Sequence, residues 1–102
     1  MKANELVPPP HLEAGDLEKD VFVTITGVDF EEVGEEKVRK GVLHLKEFSR
    51  SMVLNRTNLK RIVMQHGDQT DDWIGKGIVI YGSETEFAGR TVPCIRVRYL
   101  PI

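Results

Sequence analysis

Residues 55–67 read NRTNLKRIVMQHG, and this stretch decides the fold because it contains the chain's only convincing helix. The i, i+3, i+4 spacing of an amphipathic helix is met by three apolar residues, Leu59, Ile62 and Val63. Asn55 or Thr57 is placed to cap the first backbone N–H groups, and Gly67 suits the left-handed position past the end. The pattern predicts one helix over residues 57–66.

Three strands are predicted before this helix. Residues 20–29 alternate and are rich in β-branched and aromatic residues, residues 37–47 contain the alternating Leu43 and Leu45, and residues 51–54 are short and apolar. Gly27 indicates a bulge or bend within the first strand. Residues 30–36 read as an acidic connection between the first two strands, and residues 48–50 as a hairpin connection between the second and third.

Two further strands are predicted after the helix, over residues 77–87 and 91–99, with a tight hairpin between them. In the last strand the arginines alternate with apolar residues, so they share the face that points away from the core. Four aromatic side chains are expected in the core: Phe22, Phe30, Trp73 and Tyr81. For Trp73, stacking on a base is the less favoured alternative.

The order strand, strand, strand, helix, strand, strand predicts a mainly β domain with one helix. It is typical of an OB-fold-like five-stranded barrel, here over residues 19–102. The rival architecture is an α+β roll in which the helix lies across an open sheet. Residues 1–18 read as an extended acidic and proline-rich N-terminal arm.

Composition supports one small globular domain, since 40% of the 102 residues are hydrophobic and 29% are charged. The net charge of −2 hides an asymmetry: residues 1–36 carry −8 and residues 37–102 carry +6. Such polarity is a hint of nucleic-acid contact or of an acidic tail. The acidic segment is also a candidate mask for the basic body.

No catalytic or cofactor pattern is present in the sequence. Cys94 is the only cysteine, which excludes an intramolecular disulfide and fits a reducing cytoplasm. Asp68, Asp71 and Asp72 are better explained as turn and cap residues than as a metal site. We therefore predict a cytoplasmic, non-enzymatic protein without a metal or cofactor, and no apolar run approaches a membrane span.

The chain resembles a family of small phage and prophage proteins through three stretches: LNRTN at residues 54–58, GDQTDDWIGK at residues 67–76 and VPCIRV at residues 92–97. The resemblance covers residues 12–98. It implies a phage accessory protein of the bacterial host cell connected with DNA replication or recombination, and it brings no catalytic residue.

The leading hypothesis is a single-stranded nucleic-acid binder, because such sites combine cations for phosphates with flat side chains for bases. The predicted binding residues are Lys40, His44, Lys46, Phe48, Arg50, Arg56, Lys60, Phe87, Arg90, Arg96 and Arg98. The predicted partners are single-stranded DNA, phage or host replication proteins and a second copy of the chain. The alternative is a protein-interaction or oligomerising module with no nucleic-acid role.

Overall fold

The computed structural model describes residues 11–33 and 35–98. Its elements are β1 (Val21–Val33), β2 (Val38–Leu45), β3 (Met52–Val53), α1 (Arg56–His66), β4 (Gly77–Phe87) and β5 (Arg90–Arg98). Short 3-10 turns form at Ala14–Asp16 and Thr70–Trp73. The predicted order of three strands, one helix and two strands is confirmed.

All five strands belong to one antiparallel sheet in the order β3-β2-β1-β4-β5. The fold is therefore mainly β with one helix, as predicted. As far as the structure describes the strands, the sheet is open, with β3 and β5 as its two edges.

Strand β1 is longer than predicted and has two partners. Residues 21–24 pair with β4, residues 25–33 pair with β2, and the register shifts between Ile25 and Gly27, where a bulge was predicted. The prediction of a connection over residues 30–36 is wrong for residues 30–33, which belong to β1, whereas residues 35–37 form the turn. Glu31 and Glu32 stand opposite Lys40 and Arg39 of β2, and this pairing of opposite charges favours the antiparallel ladder.

Glu47, two residues after β2, hydrogen-bonds to β1 at Thr24, where β1 changes its pairing partner from β4 to β2. The Thr24 backbone N–H donates to Glu47 Oε1 at 2.8 Å, and the Thr24 hydroxyl donates to Oε2 at 3.2 Å. The hydrogen bond from the Thr24 backbone N–H is the main cause that lowers the pKa of Glu47 from its ordinary value. Glu47 thus stabilises the bend of β1 in its ionised form.

The core lies between the sheet, α1 and the Thr70–Trp73 turn. It is formed by Leu12, Leu17, Val23, Ile25, Leu43, Leu45, Met52, Ile62, Trp73, Ile78, Ile80, Ile95 and Val97. Trp73 is 1% exposed and its indole N–H donates to the Gly67 carbonyl at 2.8 Å, so its predicted place in the core is confirmed.

The segment before β1 packs against both edges of the sheet. The Leu12 N–H donates to the Ser51 carbonyl next to β3 at 2.8 Å, and the Ala14–Asp16 turn lies against β4 and β5. Leu12 and Leu17, two residues of the predicted arm, are buried in the core. The rest of that arm, residues 1–10, lies outside the described residues.

The free edge of β5 is covered by a polar side chain of α1. Asn58 is fully buried, its amide donates to the Ile95 carbonyl at 2.8 Å, and its Oδ1 accepts from the Val97 N–H at 3.0 Å. Leu59, predicted to face the core, is 42% exposed. The buried stripe of α1 is therefore turned by one position, because the edge of β5 needs hydrogen-bonding partners.

Asn55 caps α1, since its side chain accepts from the Asn58 N–H at 2.8 Å. Of the two predicted cap residues, Asn55 is the one that acts. Gly67 follows the last turn with a positive φ of 89°, as predicted, although its ψ of 177° is more extended than that of a left-handed helical cap. These two ends fix how far α1 extends and so which of its side chains reach β5.

Candidate nucleic-acid interface

The face of β4 and β5 that points away from the core is defined by their register. Ile80 and Val97, both fully buried, face the core, so the residues on either side of them in each strand face outward. The outward pairs are Val79 opposite Arg98, Tyr81 opposite Arg96, Ser83 opposite Cys94, Thr85 opposite Val92, and Phe87 opposite Arg90. We call these ten residues, with Phe22 of β1 opposite Val79, the outer β4–β5 face.

The outer β4–β5 face is cationic because the acids of the hairpin lie on the other side. Glu84 and Glu86 pair with Pro93 and Thr91, one step out of phase with the arginines. The alternation of side chains along each strand therefore segregates charge. The face carries three arginines and no acidic residue from either strand.

Tyr81 lies at the centre of a cluster of guanidinium groups, the Tyr81 cluster. The Arg98 guanidinium lies 4.5 Å from the centre of the Tyr81 ring. Arg61 of α1 donates to the Val97 carbonyl at 2.8 Å and to the Tyr81 hydroxyl at 3.4 Å. Arg96 is the partner of Tyr81 in the register. Two guanidinium groups, those of Arg61 and Arg98, therefore contact Tyr81, and Arg96 stands across the ladder from it.

Two further aromatic rings are exposed on this face. Phe87 is 73% exposed at the end of β4, and Phe22 is 56% exposed beside Val79. The expectation that Phe22, Phe30 and Tyr81 belong to the core is wrong. Phe22 and Tyr81 lie on the opposite side of the sheet from the buried Ile80. Phe30 is 65% exposed and lines the rim of an open cleft near the start of α1. Exposed rings next to cations are what base stacking requires.

The cations predicted on β2 and after it have acidic neighbours instead. Lys40 stands opposite Glu31 in the sheet, and His44 Nε2 lies 3.8 Å from an oxygen of Asp29. Arg50, in the connection after β2, also has an acidic neighbour, Asp16. His44 and Arg50 are thus engaged by acids of the protein itself, and Lys40 has an acid across the ladder.

Arg50 joins the segment before β1 to the connection after β2. Its Nη2 lies 2.9 Å from Oδ1 of Asp16, and its Nη1 donates to the His11 carbonyl at 3.5 Å. The Glu13 backbone N–H, which donates to Asp16 at 2.8 Å, and then Arg50 lower the pKa of Asp16 from its ordinary value. Arg50 thus has a structural role.

The remaining predicted residues are dispersed. Lys46 is exposed just after β2, and Arg56 and Lys60 are exposed on the first turns of α1. Phe48 is half-buried and packs against the core, so its ring is not free to stack on a base. Of the eleven predicted residues, four lie together on the outer β4–β5 face: Phe87, Arg90, Arg96 and Arg98.

Sequence reasoning missed Arg61, Tyr81 and Phe22 as parts of this surface. A signal for Arg61 existed: it lies three residues after Asn58 on the helix, and side chains at that spacing share a face. The signal was hidden because Asn58 does not look like a core residue. The pairing of Phe22 with Val79 depends on the register between β1 and β4, which one sequence does not reveal.

Two clefts, of about 410 and 300 Å³, are lined mainly by residues outside the outer β4–β5 face, with Cys94 at the rim of the first. The first lies between the segment before β1 and the edges of β3 and β5, and the second lies between the β1–β2 hairpin and the start of α1. A shallow depression of about 320 Å³ lies between the Ala14–Asp16 turn and the middle of β4. None of the three is lined by a predicted binding residue. The candidate interface is therefore an open sheet face and not an enclosed pocket.

No protein-family model, curated protein or solved structure matches the chain. Over residues 11–33 and 35–98, no helix is long and apolar enough to cross a membrane. In the same part of the chain, no three His, Cys, Asp or Glu side chains gather into a metal-binding group.

Proposed function

We propose that this protein binds single-stranded nucleic acid on the outer β4–β5 face. The observation that carries the proposal is the register of the hairpin, which puts Arg90, Arg96 and Arg98 on one face with the exposed rings of Phe22 and Phe87. Guanidinium groups neutralise phosphates, and exposed rings accept unstacked bases. The β4–β5 hairpin and the adjacent β1 thus supply both groups that a surface for single-stranded nucleic acid requires.

The exposed rings favour a single strand over a duplex. In a duplex the bases are already stacked on each other, so rings on a sheet surface gain nothing from them. The spacing also suits an extended strand, because Phe87 lies six positions after Tyr81, about 20 Å along β4. This length offers room for several consecutive nucleotides.

The near-neutral net charge of −2 does not oppose this function. Electrostatic attraction at short range depends on the local arrangement of charges, because salt screens contributions beyond about 10 Å. The outer face presents arginines without acids from its own strands, whereas most acids of residues 1–36 lie on other elements.

The proposal extends to the biological role of the protein and to a more specific fold class. The resemblance to small phage and prophage proteins supports a role in replication or recombination of phage DNA. The pairings β1–β2, β2–β3, β1–β4 and β4–β5, with a helix between β3 and β4, are compatible with a partly open OB-fold-like barrel. In this interpretation the segment around Leu12 fills the gap between the two edge strands.

The test is a titration of fluorescently labelled oligodeoxythymidylate with the protein, read by anisotropy, over a series of salt concentrations. If the arginines of the face contact three or four phosphates, log K falls against log salt with a slope of about −2 to −3. A duplex of the same length binds more weakly. Absence of binding at low salt, or binding that does not respond to salt, would refute the proposal.

A further inference from the structure

We infer that the Tyr81 cluster is a subsite for one phosphodiester group, and that Asp20 fills it in the free protein. The Asp20 carboxylate accepts from Arg98 Nε at 3.0 Å. Carboxylate and phosphate oxygens make the same charge-assisted hydrogen bonds to a guanidinium group. This inference rests on the proposed function and names the anion that the nucleic acid displaces.

The register explains why Asp20 reaches this place. Val21, the first residue of β1, pairs with Ile80, and Asp20 comes directly before it, outside the paired residues. Phe22, Val79 and Arg98 form a row across β1, β4 and β5. The Arg98 side chain extends from this row over the Tyr81 ring and meets the Asp20 carboxylate on the other side of β4.

The charges of the cluster do not balance without a ligand. Arg61 donates to two neutral oxygens, the Val97 carbonyl and the Tyr81 hydroxyl. In the described part of the chain, the only carboxylate that forms an ion pair with the cluster is that of Asp20. Arg61 and Arg98, both in contact with Tyr81, thus have one carboxylate between them, and Arg96 adds a further positive charge on the same face, which favours the binding of a phosphate.

The pair between Asp20 and Arg98 is suited to exchange. Both side chains are about half exposed, at 51% and 55%. Exposed pairs of this kind contribute little to folding, so an incoming phosphate displaces the carboxylate without loss of structure. Asp20 would then act as an internal competitor that weakens binding to any single phosphate and favours ligands that contact the whole face.

The experiment compares Asp20→Asn with Glu18→Gln, which removes the same charge from the same exposed segment. Each variant is titrated with labelled oligodeoxythymidylate and, separately, with inorganic polyphosphate of similar charge. We expect Asp20→Asn to bind both probes about threefold to tenfold more tightly than the wild type, and Glu18→Gln to change binding less than twofold.

A second measurement ties the effect to Arg98. In an Arg98→Ala background, Asp20→Asn should give no gain beyond that of Glu18→Gln, since the interaction between the two residues is already lost. The Arg98 Nε–H resonance, followed by ¹H–¹⁵N correlation spectroscopy, should move in the same direction in Asp20→Asn and in the wild type with oligonucleotide.

The outcomes separate this inference from the proposed function. If the wild type binds oligonucleotide but Asp20→Asn behaves like Glu18→Gln, the phosphate exchange is refuted and strand binding stands. If Asp20→Asn binds polyphosphate more tightly but no variant binds oligonucleotide, the anion subsite stands and nucleic-acid binding falls. If no variant binds either probe, both are refuted.

Discussion

The β1–β2 and β4–β5 hairpins are both antiparallel ribbons that carry cationic side chains, yet their charges are arranged differently. In β1–β2, Lys40 stands opposite Glu31 and Arg39 opposite Glu32, so each cation has an acid across the ladder. In β4–β5 the acids occupy one face and the arginines the other. The first arrangement stabilises a hairpin, and the second leaves charge available for a ligand.

The difference shows that the phase of charges within a strand decides their role more than their number does. Moving an acid by one residue along a strand transfers it to the opposite face. Arg39 also illustrates the point, because it covers the ring of Phe30 at 4.5 Å. On β1–β2, even the exposed aromatic ring is already occupied by a cation of the same hairpin.

The largest effect is expected from Asn58→Leu, which tests how the β4–β5 half is held. The Ile95 carbonyl and the Val97 N–H would both lose their partner in a buried place. At about 1–3 kcal/mol for each unsatisfied group, the free energy of unfolding should fall by about 2–6 kcal/mol. Urea denaturation measures it.

Leu59→Ala is the control for Asn58→Leu, since Leu59 is its neighbour on α1 but is 42% exposed. It should cost less than about 1 kcal/mol. A cost for Asn58→Leu no greater than that of the control would mean that the edge of β5 does not depend on the helix.

The next effect concerns binding and sets the two hairpins against each other. The double variant Arg96→Ala/Arg98→Ala removes two cations of the outer face, whereas Lys40→Ala/His44→Ala removes two side chains that face acids. We expect the first to weaken oligonucleotide binding more than about tenfold and to reduce the salt slope by about 1.4. The second should change affinity less than about twofold.

Equal losses in the two double variants would contradict the assignment of the site to β4–β5. A larger loss in Lys40→Ala/His44→Ala would move the site to β2, where strand-binding OB-folds also carry residues. Circular dichroism and thermal unfolding of each variant show whether a loss of binding reflects a loss of structure.

Much of the β4–β5 half was predictable from the sequence, because its strands alternate cleanly. Ile95 and Val97 alternate with Arg96 and Arg98, and the predicted separation of these two sets onto opposite faces is confirmed. The helix was predictable for the same reason, through its cap and its ending glycine. Patterns of this kind can be recognised in a sequence because they involve residues that lie close together along the chain.

Features that depend on contacts between distant segments were not predictable. A buried Asn58 contradicts the hydrophobic stripe, and only the unpaired edge of β5 explains it. The acidic stretch after residue 29 looked like a loop because β-propensity is low for acids, but the cations of β2 opposite these acids keep it in the sheet. The gathering of Arg61 around Tyr81 likewise requires the packed structure.

A smaller effect is expected from the aromatic rings, where Phe87→Ala and Phe30→Ala form a matched pair. Both rings are exposed, at 73% and 65%, but Phe30 is covered by Arg39 and Phe87 lies on the arginine face. If Phe87 stacks on one base, its loss should cost about 1–2 kcal/mol of binding free energy. Phe30→Ala should leave oligonucleotide affinity unchanged, and a loss shared equally by both variants would show that ring exposure alone matters.

The smallest effect is expected from pH, and it concerns acids that serve structure away from the outer face. The pKa values of Asp16 and Glu47 are both lowered in the folded protein, chiefly by backbone N–H donors. A carboxyl whose folded pKa lies below its unfolded value stabilises the fold above the unfolded value, and that contribution disappears as pH falls through the folded one.

The stability of the wild type should therefore decrease as the pH falls below about 4, and part of that decrease should be absent in Asp16→Asn and in Glu47→Gln. Because the Asp16 side chain is 30% exposed and Glu47 is exposed, solvent screens both groups, and each variant should lose no more than about 1 kcal/mol of stability at neutral pH. Thermal unfolding between pH 7 and 3 measures this.

At neutral pH, both variants should bind oligonucleotide at least as well as the wild type, since each removes a negative charge and neither touches the Tyr81 cluster. Weaker binding in Glu47→Gln would show that the bend of β1 helps to build the interface. Because β1 pairs with both β2 and β4, the two hairpins would then not be independent of each other.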